Sequence, residues 1–181
     1  MRIISGKHKS KRINAPKNLP VRPTTDMAKE ALFNILNNHY YFDQISVLDL
    51  FAGIGSISFE FASRGTEKII SVDQNAGCIK FLDKIIDELQ FDIQTVKSDV
   101  YRFLERCNQK FDIIFADPPY DFTEDKFQKI ISLVFEKKLL DHEGLLIVEH
   151  SKKTDLTINK YYSHSKKYGE NNFSFFEHKT K

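Results

Sequence analysis

Apolar and polar residues follow two alternating patterns along the chain from Ser46 onward. Short apolar runs, such as "SVLDLF" and "KIISVD", are typical of buried β-strands. The segment "NAGCIKFLDKIIDELQ" instead places Ile79, Leu82, Ile86 and Leu89 on one face, which predicts an amphipathic helix. By the same criteria we predict strands over 46–51, 68–73, 92–99, 111–117 and 144–150, and helices over 55–65, 75–90, 100–107 and 124–136.

The order of these elements predicts the fold class. Strands that alternate with helices of this length form parallel βαβ units, and therefore a Rossmann-like, doubly wound α/β sheet with helices on both faces. The segments 160–169 and 171–179 predict a terminal strand pair, which would give the mostly parallel sheet an antiparallel edge.

A small extension, residues 1–43, is predicted to precede a core formed by residues 44–181. "RIIS" and "KRINA" predict a β-hairpin around the basic loop "GKHKS", and the prolines of "APKNLPVRP" predict an extended connector. Thr24, Thr25 or Asp26 can then cap an amphipathic helix that ends near residues 37–39.

The bulk composition is that of a globular protein with one domain. The chain has 181 residues, of which 41% are hydrophobic and 29% charged. We find neither a secretory signal nor an apolar run near the about 20 residues that span a bilayer. Cys78 and Cys107 lack a CxxC spacing and are expected to be reduced thiols in a cytoplasmic protein. The six histidines are scattered, so we expect no metal site.

Positive charge is unevenly distributed although the net charge is only +2. Residues 1–12 contain no acid, and we interpret their cations as a phosphate-binding surface: Arg2, Lys7, Lys9, Lys11 and Arg12. A second group of lysines, which includes Lys166 and Lys167, is interpreted as a solvated surface.

Acidic residues follow the first three predicted strands of the core. Asp49 precedes a turn that contains Gly53 and Gly55, Asp73 ends the next strand, and Asp99 follows the third. In a doubly wound sheet, ligands bind at the carboxyl ends of the strands. An acid at the position of Asp73 is suited to ribose hydroxyls. Because a carboxylate at Asp49 would repel a pyrophosphate, we expect a ligand with a cationic amino group and a ribose.

The stretch "FDIIFADPPYDF" contains a fourth acid at a strand end. Proline has no N–H for the strand ladder, so the strand must stop at Asp117. Pro118 and Pro119 fix two φ angles and hold a carboxylate, a rigid carbonyl and the ring of Tyr120 together. A simple turn would not need this chemistry.

These motifs resemble a known family. "VLDLFAGIGS", the acid after the second strand and "DPPY" are similar to the S-adenosylmethionine-dependent amino-methyltransferases. "RIISGKHKSKRI", "RPTTDMAKEALFNIL" and "KKYGENNFSFFE" extend the resemblance over nearly the whole chain, to the bacterial 16S ribosomal RNA guanine-N2 methyltransferases. The sequence departs from the family where Met27 replaces a common arginine and His8 a frequent aromatic residue.

The resemblance implies a role for each motif. Asp117 and the Pro118 carbonyl would accept hydrogen bonds from a base amine, Pro119 would stiffen the site, and Tyr120 would stack on the target base. Arg22 and Thr24 would contact RNA near the site, together with the basic residues of the N-terminus. The partner would be ribosomal RNA, naked or in an assembling small subunit. Residues expected to bind S-adenosylmethionine are Asp49, Phe51, Ala52, Gly53, Gly55, Asp73, Gln74, Asp99, Val100 and Asp117.

Three alternatives stay open at this stage. A DNA adenine-N6 methyltransferase shares the D-P-P-Y motif but usually carries a further target-recognition region. A nicotinamide-dependent oxidoreductase is disfavoured because Ser58 stands at the third glycine position of the dinucleotide fingerprint. A non-catalytic RNA-binding protein would not need Asp117 or the cofactor acids.

Overall fold

The computed structural model describes residues 1–16, 18–19, 25–119, 121–169 and 171–178. Its strands are β1 Ser46–Leu50, β2 Lys68–Asp73, β3 Ile93–Lys97, β4 Phe111–Ala116, β5 Leu140–Ser151, β6 Tyr162–Tyr168 and β7 Asn171–Phe176. Its helices are α1 Asp26–Leu36, α2 Ser56–Ser63, α3 Ala76–Leu89, α4 Val100–Arg106 and α5 Glu124–Glu136, with a 3₁₀ turn at Phe42–Gln44.

The strands form one seven-stranded sheet in the order β3-β2-β1-β4-β5-β7-β6. The first five strands are mutually parallel, while β7 runs antiparallel to both β5 and β6. The predicted fold class is therefore confirmed, including the terminal strand pair and the antiparallel edge. Strand order reverses between β1 and β4, so the crevice at their carboxyl ends is the expected ligand site.

Side chains alternate between the two faces of the sheet, and each face has its own apolar cluster. Val47, Ile113 and Ile147 face the helices α1, α2 and α3. Leu48, Ile114 and Leu146 face the helices α4 and α5. Helices cover both faces, which is why the central strands read as nearly continuous apolar runs. No helix in the described ranges is long and apolar enough to cross a membrane.

The basic N-terminal segment folds more tightly than the predicted hairpin. Arg2 and Arg12 form a single antiparallel bridge, and the predicted strands "RIIS" and "KRINA" are absent from this described segment. The loop between them instead docks on the end of α2, where the Lys7 N–H donates to the Ser63 carbonyl at 2.7 Å. A Cβ on Gly6 would lie 1.8 Å from that carbonyl oxygen, so close packing prevents a longer ladder.

A buried acid on α2 holds this segment in place. The Glu60 carboxylate is fully buried and accepts the Ile4 N–H at 2.8 Å and the Ser5 N–H at 3.0 Å. It also pairs with Lys29 at 3.4 Å and with Arg64 at 2.9 Å. Lys29 in turn donates to the Arg2 carbonyl at 2.6 Å. This network, together with the burial of Ile3 and Ile13, joins the N-terminal segment to α1 and to the core.

The connector and its helix follow the sequence prediction where the chain is described. The Thr25 hydroxyl accepts the Ala28 N–H at 3.2 Å, so Thr25 is the cap of α1. Residues 17 and 20–24, which include most of the predicted connector, lie outside the described residues. β5 begins at Leu140, earlier than predicted, because a register shift after Phe111 lets it pair with the start of β4.

Candidate active site

A cavity of about 1170 Å³ opens at the carboxyl ends of β1, β2, β4 and β5. Its wall includes all but one of the cofactor residues predicted from the sequence: Asp49, Phe51, Ala52, Gly53, Asp73, Gln74, Asp99, Val100 and Asp117. Pro118 and Pro119 lie on the same wall. The predicted catalytic and cofactor residues in the described ranges therefore meet at one place.

The turn after β1 owes its shape to positive φ angles. Phe51 has a φ of 65°, Gly53 of 55° and Gly55 of 79°. Gly55 is the predicted cofactor residue that does not line the cavity. A Cβ there would come within 2.6 Å of the side chains of Leu82 and Phe59, so glycine is required for packing behind the wall as well as for its φ angle.

Asp73 ties this turn to the start of α3. Its two carboxylate oxygens accept the Gly53 N–H at 2.8 Å and the Asn75 N–H at 2.7 Å. Each carboxylate oxygen has a second lone pair, so Asp73 keeps acceptor capacity towards the cavity. Both bonds fix the carboxylate at the point where the glycine turn and the helix start meet.

Asp49 is a buried carboxylate with a raised pKa. Its side chain accepts hydrogen bonds from the Ser58 hydroxyl and from the Ser58 N–H, the latter at 3.2 Å. Burial raises the pKa of Asp49 to about 7, and the bonds from Ser58 oppose part of that rise. Ser58, which interrupts the dinucleotide fingerprint, thus has a defined role as the partner of Asp49.

Asp117 stands at the end of β4, next to the turn after β1. The register pairs Leu50 with Ala116, so Asp117 follows at the level of Phe51. Burial raises the pKa of Asp117 well above its usual value, and the charges of Glu149 and Asp49 raise it further. Pro118 is buried and Pro119 exposed, so the rigid turn leads from the core to the surface. A positively charged ligand in this cavity would relieve the repulsion among these acids.

The remaining predicted cofactor residues lie at the start of α4 and α3. Asp99 caps α4 by accepting the Arg102 N–H at 3.0 Å, and it is exposed at the cavity rim. Val100 is buried behind it, and Gln74 is exposed between β2 and α3.

An aromatic wall closes the side of the cavity next to α4 and α5. The rings of Tyr101 and Phe122 stack with centroids 6.5 Å apart, and Phe51 meets Phe122 edge-on at 5.5 Å. The Lys126 ammonium lies 5.2 Å from the Phe122 ring centroid. The sequence analysis missed Tyr101, Phe122 and Lys126, because their meeting depends on how α4 packs beside α5.

Two further residues of the cavity wall were missed, Glu149 and Asn171. Glu149 is buried on β5, and its Oε1 accepts a hydrogen bond from the Asn171 side-chain amide. The signal was present in the sequence, since "LLIV" precedes Glu149 as "IIFA" precedes Asp117. Both acids follow a buried strand and end at the same edge of the sheet.

The basic residues of the N-terminal segment are all exposed, but they differ in their partners. Arg2 pairs with Asp26 at 3.1 Å and Lys11 with Glu88 at 2.8 Å. Within the described part of the chain, Lys7, Lys9 and Arg12 form no ion pair. His8, at the position where an aromatic is frequent, packs its ring edge-on against Phe91 at 5.0 Å. Arg22, Thr24 and Tyr120 lie outside the described residues.

A family model described as "Conserved hypothetical protein 95" matches residues 1–177. The chain belongs to this family. YlbH of Bacillus subtilis, named provisionally as an rRNA methyltransferase, is 35% identical over 161 residues, which cover 86% of this chain and 85% of the relative. Ribosomal RNA small subunit methyltransferase D of Buchnera aphidicola subsp. Acyrthosiphon pisum is 32% identical over 168 residues, which cover 91% and 85% of the two chains.

The solved structures agree with this membership. An Escherichia coli protein whose name describes it as a methyltransferase superposes with a TM-score of 0.86 at 25% identity, over 100% of this chain and 99% of that chain. The family resemblance inferred from the sequence is thus confirmed along the full length of the fold.

Proposed function

We propose that this protein transfers a methyl group from S-adenosylmethionine to the exocyclic N2 amine of a guanine in small-subunit (16S) ribosomal RNA. The observation that carries the proposal is the meeting of two motifs in one cavity. Asp117 and Pro118 lie on the same wall as Asp49, Gly53 and Asp73. Relatives that cover most of the chain are named as rRNA methyltransferases, which supports the same substrate class.

The residues of the cavity fit S-adenosylmethionine. Its buried acids suit a ligand that carries a sulfonium and an amino group, since each acid lies in a site where burial disfavours its own charge. Asp73 would accept hydrogen bonds from the ribose hydroxyls, and the aromatic wall of Phe51, Tyr101 and Phe122 offers apolar surface to a ring. When bound, this cofactor supplies an electrophilic methyl carbon on a cationic sulfur.

Asp117 and the Pro118 carbonyl would activate the target amine. The lone pair of an exocyclic amine is delocalised into the base ring, so the amine is a weak nucleophile. Acceptors fixed by the Pro-Pro unit would draw its N–H bonds towards them and make the nitrogen more tetrahedral, a preorganised electrostatic effect. The nitrogen lone pair then forms the new N–C bond as the C–S bond breaks, sulfur keeps the electron pair, and the amine loses a proton.

The N-terminal segment would hold the RNA. Lys7, Lys9 and Arg12 are exposed and offer cations to phosphates, while Glu60 fixes the loop that carries them. We assign RNA binding to residues 1–43, with Arg22 and Thr24 near the site, and catalysis to residues 44–181. Tyr120 would stack on the extruded base. We place this activity in the cytoplasm, on naked RNA or on an assembling subunit.

Mass mapping of ribosomal RNA tests the proposal. RNA from cells with and without the protein should differ by one N2-methylguanine in the small-subunit RNA. The purified protein with S-adenosylmethionine should restore that methyl group on RNA from the deficient cells. N6-methyladenine in DNA, with unchanged ribosomal RNA, would instead identify a DNA adenine methyltransferase.

A further inference from the structure

Glu149 is a second buried carboxylate beside the proposed catalytic acid. It lies near the carboxyl end of β5, its side chain is 4% exposed, and it lines the cavity together with Asp117. The role proposed for Asp117 and Pro118 does not use Glu149. A carboxylate in such a place is costly, because burial without a partner for its charge is unfavourable.

Strand register places the two carboxylates next to each other. β4 and β5 pair in parallel, with Ala116 opposite Val148, so Asp117 and Glu149 are the next neighbours along the two strands. Adjacent strands lie about 4.8 Å apart. Phe115 and Ile147 belong to the cluster on the α1–α3 face, and alternation therefore directs Asp117 and Glu149 to that same face.

The surroundings of Glu149 fix its orientation. The Asn171 side-chain amide donates a hydrogen bond to Oε1 of Glu149. On the neighbouring strand, Glu149 is paired with Phe173, which is completely buried. An apolar floor and an oriented amide leave the carboxylate little rotational freedom, which is the condition for reading a base edge.

We propose that Glu149 selects guanine by accepting hydrogen bonds from its N1–H and from one N2–H, while Asp117 and the Pro118 carbonyl accept the other N2–H. This inference rests on the proposed function. The Watson–Crick edge of guanine presents two adjacent donors, N1–H and N2–H, and a carboxylate accepts both in a bidentate pair. Adjacent acceptors on two neighbouring strands match that edge.

The same geometry rejects purines that lack the N1 proton. Adenine and 2,6-diaminopurine have an unprotonated N1, whose lone pair would face the lone pairs of Glu149. A site built to bond a donor discriminates strongly against an analogue without it, because its own buried polar group is then unpaired. Since 2,6-diaminopurine keeps the N2 amine, it isolates the contribution of N1–H.

The test compares methylation of two ligated small-subunit RNAs. One has guanine and the other 2,6-diaminopurine at the nucleotide that mass mapping identifies as the target. The wild-type protein should have a kcat/KM at least about tenfold higher for guanine, the effect of one hydrogen bond to a charged group. In Glu149→Gln, the amide Nε2 would donate to the unprotonated N1 and clash with N1–H, so this ratio should fall at least about tenfold.

A matched control is available on the same strand. Glu143→Gln makes the same chemical change at an exposed position of β5 and should leave the ratio unchanged. Calorimetric titration with S-adenosylmethionine shows that each variant is folded. If Glu149→Gln slows both RNAs equally, Glu149 only supports the fold and the inference is overturned.

A second variant tests the inference without changing the acid. Asn171→Ala removes the amide that orients Glu149, so the ratio should fall in the same direction but by less. An unchanged ratio in a folded Asn171→Ala counts against the proposed orientation. If the wild-type protein methylates neither RNA, the proposed function itself fails and the inference falls with it.

Discussion

Burial gives Asp49 a charge that changes near neutral pH. The pKa of this acid is raised to about 7, so it is protonated below that pH and ionised above it. We expect S-adenosylmethionine, a cation, to bind the ionised form. The ionised fraction falls about tenfold between pH 8 and pH 6, and apparent affinity should fall by about the same factor.

Calorimetric titrations at several pH values check this prediction. Asp49→Asn removes the titrating group and keeps the shape of the side chain, so its affinity should vary less with pH than that of the wild type. The difference between the two proteins isolates Asp49 from the titration of the cofactor amine. Parallel pH profiles would show that Asp49 does not sense the cofactor charge.

Asp73 should determine how well the ribose is held. Hydrogen bonds to a charged acceptor contribute about 1.5–3 kcal/mol each, so Asp73→Ala should weaken S-adenosylmethionine binding at least about tenfold. The exposed Asp92, just before β3, offers a control, and Asp92→Ala should bind as the wild type does. Equal affinities for the two variants would remove Asp73 from the cofactor site.

Asp117 should affect turnover more than binding. Removing one preorganised polar group typically costs about 10²–10³ in kcat, and we expect that loss in Asp117→Ala. The affinity for S-adenosylmethionine should change far less, because Asp49 and Asp73 hold the cofactor. Single-turnover methylation of RNA measures the rate. A normal rate would leave Asp117 as no more than a strand-end residue.

The sequence was sufficient for residues that end a strand and precede a recognisable turn. Asp49, Asp73 and Asp117 are of this kind, and all three line the cavity. Glu149 was missed because β5 continues to Ser151 without a turn motif that marks the acid. Its place beside Asp117 depends on strand register, which a single sequence does not specify when both faces are buried.

At the scale of elements, α2 connects the cofactor turn to the basic N-terminal segment. Its pattern predicted a helix, but no local signal showed that Glu60 faces inward to accept backbone N–H groups of residues 4 and 5. The predicted hairpin strands were wrong for the same reason. Contacts with α2, distant in sequence, determine the path of residues 5–10.

Breaking this connection should destabilise the protein. Removing one partner of a buried ion pair costs about 3–5 kcal/mol, and Glu60→Ala should lower the free energy of unfolding by about that amount. Glu60→Leu combined with Lys29→Met should lose less, because no buried charge is left alone. Urea denaturation measures both. The exposed Glu67 serves as the control, and a loss in Glu67→Ala as large as in Glu60→Ala would refute the role of burial.

At the scale of the whole molecule, cations and cavity should act together on RNA. If Lys7, Lys9 and Arg12 each neutralise a phosphate, replacing all three by glutamine should flatten the salt dependence of RNA binding by roughly 0.7 per contact. Affinity for S-adenosylmethionine should not change. Replacing Lys68, Lys110 and Lys137 removes the same charge from exposed positions near the opposite end of the strands. An equal effect of both replacements would indicate non-specific attraction.

The order of the sheet also has a consequence for self-association. β6 is an outermost strand, and such a strand exposes unpaired backbone groups to which another copy can add. Its sequence "YSHSKKY" carries the exposed Lys166 and Lys167, whose charges repel an identical edge. These lysines thus have a reason to be there that needs no nucleic acid: they keep an open sheet from templating its own aggregation.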